Sequence, residues 1–206
     1  SLNLNPADTM WVLRVPVCLD AGCTRSLPMF TAHWLGSGAD PALTYDRQAQ
    51  ATVDFMTRTA GRSAPSLLAA DLNVWEGPAP VCGQTPIPAG LPRLRDAGYV
   101  DGWPLLHGSA EGFTGMVNRA NCGSPAGYGW KRIDYVWSPP AFLPLSLTRF
   151  GVVPAGDEAP SDHYGLLAEF PIPAPAGPPD TIAPGVSLLS PADGLPVRGA
   201  GASTAL

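Results

Sequence analysis

The chain has 206 residues, with 12 Lys and Arg against 17 Asp and Glu, a formal net charge of −5. That length fits one domain with a fragment of another, and the acid excess excludes non-specific nucleic-acid binding through bulk positive charge. No apolar run is long enough to cross a bilayer, and Ser1-Leu2-Asn3-Leu4-Asn5 has neither the basic start nor the apolar stretch of a signal peptide.

In chain order, Trp11 to Cys18 and Ser26 to Trp34 read as antiparallel strands, the second ending on His33-Trp34. Between them, Cys18 and Cys23 flank Asp20-Ala21-Gly22 and could close a small hairpin loop. Residues 35–43 are loop-like. From Thr44 to Thr59 the spacing of Tyr45, Ala49, Val53 and Met56 predicts a helix with Asp46 in its first turn. Ser66-Leu67-Leu68-Ala69-Ala70-Asp71-Leu72-Asn73 predicts a buried strand that ends on an acid and an amide. Side chains alternate along a strand, so Asp71 and Asn73 are expected on one side and Leu72 in the core. An oxygen-bearing pair at a strand end suits a hard cation or an activated water, although the same residues also end strands as turn formers.

Val74 to Pro92 is a long Gly- and Pro-rich loop, and Leu91 to Ala97 a short helix capped by Gly98 with a strand-like exit to Trp103. Residues 108–129 predict a hairpin around Phe113-Thr114 and Asn121-Cys122. Trp130 to Trp137 reads as a strand with Asp134 in its middle. A carboxylate there needs a partner, and histidine is the natural one. Leu145 to Val153 supplies another strand, and Ser161-Asp162-His163 precedes a last one, Gly165 to Phe170. Adjacent Asp and His at a strand start could ligate a metal and move a proton. His107 reads as a surface or packing residue. Lys131 and Arg132 could steer phosphate but read as solvated edge residues, and Trp75, Trp103 and Trp130 could stack a base or lie on lipid but read as half-buried packing.

Four stretches in order, Thr31-Ala32-His33-Trp34, Ala70-Asp71-Leu72-Asn73, Arg132-Ile133-Asp134-Tyr135 and Ser161-Asp162-His163, resemble the motifs of the endonuclease/exonuclease/phosphatase superfamily. The resemblance spans about Met10 to Phe170. It departs at Ala32, an extra residue before the histidine, and at Ala70, which replaces a glycine. The Asn- and Glu-bearing segments that open the family's domain do not precede His33. The chain is therefore expected to be the C-terminal portion of that catalytic domain over residues 1–170. A Pro-rich linker is expected over 171–180, and the truncated start of a bacterial immunoglobulin-like module, or a disordered tail, over 181–206.

The resemblance implies an α/β fold of the deoxyribonuclease-I-like kind, a two-sheet β-sandwich flanked by helices in four layers and incomplete at the N-terminus. It implies metal-dependent phosphodiester hydrolysis, most simply by a secreted bacterial nuclease with Mg²⁺, assisted by Mn²⁺ or Ca²⁺. The alternatives are a phospholipid or sphingomyelin phosphodiesterase and, from another class, a binding scaffold without activity. Among site residues it implies Asp162 as metal ligand and His163 at the scissile phosphate, oriented by Asp134. Asp71 would act on the water or leaving oxygen, while Asn73 and His33 would hold phosphate oxygens. It also pairs Cys82 with Cys122. With Cys18 and Cys23 that gives two disulfides in an oxidising compartment, against four free thiols in a cytosolic protein. A monomer acting on nucleic acid or another phosphodiester, attached to a cell surface through downstream modules, completes the expectation.

Overall fold

The computed structural model describes residues 1–5, 10–36, 39–61, 65–77, 85–110, 112–115, 131–151, 161 and 163–172. The chain runs β1 (Leu2–Asn5), β2 (Met10–Cys18), β3 (Ser26–Ala32), α1 (Pro41–Ala60), β4 (Leu67–Asp71), α2 (Leu91–Asp96), β5 (Val100–Asp101), α3 (Gly102–His107), β6 (Asp134–Ser138), β7 (Ser146–Phe150) and β8 (Gly165–Glu169). Six strands form one sheet in the order β1-β2-β3-β4-β6-β5, and β7 pairs with β8 in a second. β3 and β4 are parallel and joined through α1, whereas β2–β3 and β4–β6 are antiparallel. This is the α/β sandwich architecture anticipated from the motifs.

Register sorts the large sheet into two faces. Val12 opposes Ala32, Arg14 opposes Phe30, Leu68 opposes Trp137 and Ala70 opposes Tyr135. Most of these side chains form the main core, with Tyr45, Ala49, Phe55 and Met56 of α1 and Leu91 and Leu94 of α2 packed in the same cluster. The opposite face carries Met29 and Leu67, which cluster with Leu27, Phe142 and Phe170, and it also carries Asp71 and Asp134. On that face Trp11, Leu13, Val15 and Val17 of β2 remain 38–49% exposed. Along β2 the face is apolar, and the described residues leave it in part uncovered.

α1 begins three residues before the predicted start. Asp40 accepts from the Leu43 N–H at 3.0 Å and Pro41 occupies the first turn, the favoured chemistry of a helix N-terminus. Asp46 is thus outside the first turn and instead accepts both Nε and Nη2 of Arg93 at 2.9 Å, joining α1 to α2. Gly98, with φ 88°, follows α2 in the left-handed conformation that favours glycine. Two elements were not anticipated: β1, and α3, whose start is capped by the Asp101 carboxylate accepting from the Trp103 N–H at 3.1 Å. β6 begins at Asp134, so that acid opens its strand rather than sitting in its middle. Cys18 and Cys23 are bonded, with Cα atoms 4.7 Å apart. Cys82, Cys122, Trp130, Asp162 and residues 173–206, with the expected immunoglobulin-like start, lie outside the described residues.

Candidate active site

Asp71 ends β4 and Asp134 begins β6, and the two are directly opposite in the antiparallel register. Opposite residues in such a pair share a face with Cβ atoms about 4.5–5.5 Å apart, where like charges repel. Burial raises the Asp71 carboxyl above its ordinary range, the Asp134 charge raises it further, and His163 and His33 partly offset both. The arrangement concentrates acid at one end of the sandwich.

His163 enters from the segment before β8. Its Nδ1 lies 2.9 Å from Asp134 Oδ2. An ionised carboxylate accepts only, so Nδ1 carries the proton and a neutral ring keeps its lone pair on Nε2. From the other side, His33 follows β3 and bridges to Asp71 in parallel register, with Nε2 3.4 Å from Asp71 Oδ2. Asn73 reaches the same place by a turn rather than by strand alternation. Its φ is 53° and its N–H donates to Asp71 Oδ1 at 3.0 Å, the Asx geometry that Asn tolerates. Its Nδ2 donates to Trp34 O and to His33 Nε2, each at 2.9 Å. Leu72 is fully buried, as alternation required. The structure thus brings His33, Asp71, Asn73, Asp134 and His163 to one place; Asp162 lies outside the described residues.

Neighbouring elements fix this geometry. Gln48 of α1 brackets Leu35, accepting from its N–H at 3.0 Å and donating to its carbonyl at 2.9 Å, which pins the chain just beyond His33. Fully buried Thr114 accepts at Oγ1 from the Ile133 and Asp134 N–H groups, at 3.2 and 3.0 Å. Sequence reasoning missed both supports, because their partners are backbone atoms of distant segments and leave no spacing to read. It also misplaced three neighbours. Lys131 is buried over the Trp75 ring at 4.3 Å. Arg132 donates to buried Asp101 at 2.7 Å and lies over Tyr135. Trp75 is only 7% exposed. None of the three is the solvated or half-buried residue expected. Trp103 is half-buried as read, donating from Nε1 to Ala110 O at 2.8 Å. His107 stacks on Trp103 and bonds Leu147 O at 2.7 Å, a packing residue.

Asp71, Asp134 and His163 offer ligand atoms that all lie within 4.8 Å of one another. Two carboxylates and an imidazole suit a divalent cation, and the crowding that raises Asp71 is what a cation would relieve. The donor set fits a metal.

No protein-family model matches the chain, and no curated protein does. Solved structures do. TDP2 of Danio rerio, complexed with single-strand DNA product, superposes with a TM-score of 0.55 at 17% identity over 79% of this chain and 62% of that one. An AP endonuclease of Archaeoglobus fulgidus gives 0.54 at 15% identity over 78% and 79%. The endonuclease/exonuclease/phosphatase of Bacteroides vulgatus gives 0.52 at 16% identity over 74% and 52%. The fold is the deoxyribonuclease-I-like α/β sandwich of these proteins, and the chain spans about 62% of the length of the zebrafish one.

Proposed function

We propose that the chain carries the catalytic end of a divalent-metal-dependent phosphodiester hydrolase of the endonuclease/exonuclease/phosphatase superfamily, acting on nucleic acid outside the cell. The observation that carries this reading is the His163–Asp134 pair standing beside Asp71, on the fold of such enzymes. Nucleic acid is favoured over lipid because two of the structural neighbours are described as a DNA-product complex and an AP endonuclease.

Asp71 and Asp134 would hold the cation through carboxylate oxygens, joined by Asp162, with Mg²⁺ the ion and Mn²⁺ or Ca²⁺ able to assist. Bound there, it supplies Lewis-acid stabilisation of charge on the phosphoryl oxygens. His163, its Nδ1–H held by Asp134, takes a proton at Nε2 from the attacking water, and Asp134 stabilises the resulting imidazolium. Asp71, ionised while it holds the cation, accepts a hydrogen bond from the attacking water, and the leaving oxygen takes its proton from solvent. His33, oriented by Asn73, holds a non-bridging oxygen.

The uncovered apolar face of β2 supports the further reading that the working enzyme has more chain, whose strands widen the β7–β8 sheet over Trp11, Leu13, Val15 and Val17. The Cys18–Cys23 bond supports an oxidising, extracellular setting, and the Cys82–Cys122 bond, the surface-attached downstream module and the monomeric state belong to the same proposal. The experiment is cleavage of supercoiled plasmid by the protein extended with its native upstream sequence. Nicking with Mg²⁺, lost with EDTA and in His163→Ala, is the expected result. No nicking together with phosphocholine release from sphingomyelin would replace the substrate, and neither activity would leave a binding scaffold.

A further inference from the structure

Asp134 and His163 are 29 residues apart in sequence and meet through their side chains. One short segment, Phe113 to Gly115, bonds to the backbone on both sides of that meeting. The Thr114 and Gly115 N–H groups both donate to Lys131 O, at 2.8 and 2.9 Å, and the Tyr164 N–H donates to Thr114 O at 2.7 Å. Gly115 bridges to Lys131 on one side and to His163 on the other. The Thr114 hydroxyl oxygen adds the two bonds from Ile133 and Asp134, the second from the N–H of the acid itself. Arg149 of β7 donates to Phe113 O at 2.7 Å and lies 4.6 Å from the Tyr164 ring centre, tying the second sheet to the same segment. The packing is close, since a Cβ on Gly115 would stand 2.3 Å from Ile133 Cδ1.

We propose that Thr114 is a positioning residue for the acid–base pair. Its hydroxyl fixes the backbone of Asp134 while its carbonyl fixes the residue after His163, so the 2.9 Å contact between the two side chains is set from a single buried residue. The proposal rests on the reading of His163 and Asp134 as the pair that handles the proton, and it acts through them without touching substrate. Removing the hydroxyl takes the acceptor from two backbone donors, one buried and one partly buried, and the strand start carrying Asp134 shifts. A misplacement of about 1 Å is worth roughly 100-fold in rate. In the active protein Thr114→Val therefore lowers kcat about 100-fold with KM little changed, and Thr114→Ser, which restores the oxygen, recovers most of it.

The deciding test needs neither metal nor substrate. In the metal-free 206-residue chain, the His163 Nδ1–H held by a carboxylate gives a far-downfield proton resonance, assigned by its loss in His163→Ala. The proposal requires that resonance in the wild type and in Thr114→Ser, and its loss in Thr114→Val with the circular dichroism spectrum unchanged. Its absence from the wild type, its loss in a folded Thr114→Ser, or its survival in a folded Thr114→Val would overturn the proposal. If the valine variant does not fold, Thr114→Ala is read the same way. Unfolding of both variants would make Thr114 a residue of general stability and also overturn it. A chain that shows the required pattern yet cleaves nothing would count against the proposed function and leave the positioning role standing.

Discussion

Asp71 and Asp134 face one another across two strands, an arrangement that costs stability and that folding alone does not require. Burial and the Asp134 charge raise the Asp71 carboxyl, so the folded chain holds that proton more tightly than the unfolded one. Stability of the metal-stripped chain therefore falls as the pH rises from the ordinary value of 3.8 through the raised folded value. Asp71→Asn keeps the oxygen that accepts from Asn73 and removes the charge. It should raise the urea midpoint at pH 7 relative to wild type, and the gain should vanish below about pH 4. An equal midpoint for the two chains at pH 7 would contradict this account. These side chains were legible in the sequence, because an acid at the end of an apolar run and an acid beside a histidine are conspicuous there. Thr114 and Gln48 were not, since what they hold is backbone, brought near by folding.

At the scale of elements, α1 is anchored by its apolar stripe in the main core, next to β1, β2 and β3, and by the Asp46–Arg93 pair to α2. Leu68, fully buried in β4, is the sharpest probe of that core. Leu68→Ala should cost about 2–5 kcal/mol in urea unfolding, and a loss under 1 kcal/mol would mean that the sheet–helix core is looser than described. The Asp46–Arg93 pair is weaker. The Arg93 hydrogen bonds lower the Asp46 carboxyl, so its contribution is present above the ordinary value and is lost as the pH falls through the lowered one. Arg93→Gln should lower the urea midpoint only slightly at pH 7 and not at all in acid. Removing the Cys18–Cys23 bond, which closes a loop across five positions, should cost about 2 kcal/mol in the Cys18→Ser/Cys23→Ser chain.

The apolar spacing of Tyr45, Ala49 and Met56 places α1, but the helix starts earlier than that stripe shows, because Asp40 and Pro41 supply its cap and first turn without any apolar period. α3 escaped because six residues containing Trp103-Pro104 show no helical period, and its cap, Asp101, is shared with Arg132. β1 escaped because four residues alternating Leu and Asn are too short to read.

At the largest scale, α1 and α2 pack on one face of the six-stranded sheet, and on the other the described residues leave β2 half-exposed along Trp11, Leu13, Val15 and Val17. Four motifs in order sufficed to anticipate the fold, since each lies where a strand meets a loop and the loops converge at one end. The claim on which everything else depends is that the side chains at that end hydrolyse a phosphodiester. It is tested most directly with bis-p-nitrophenyl phosphate and Mg²⁺, comparing the extended protein with its Asp71→Asn, Asp134→Asn and His163→Ala variants. Each variant is predicted to lose about 100-fold or more in kcat with its circular dichroism unchanged. Three folded variants as active as the wild type would contradict the assignment of the site.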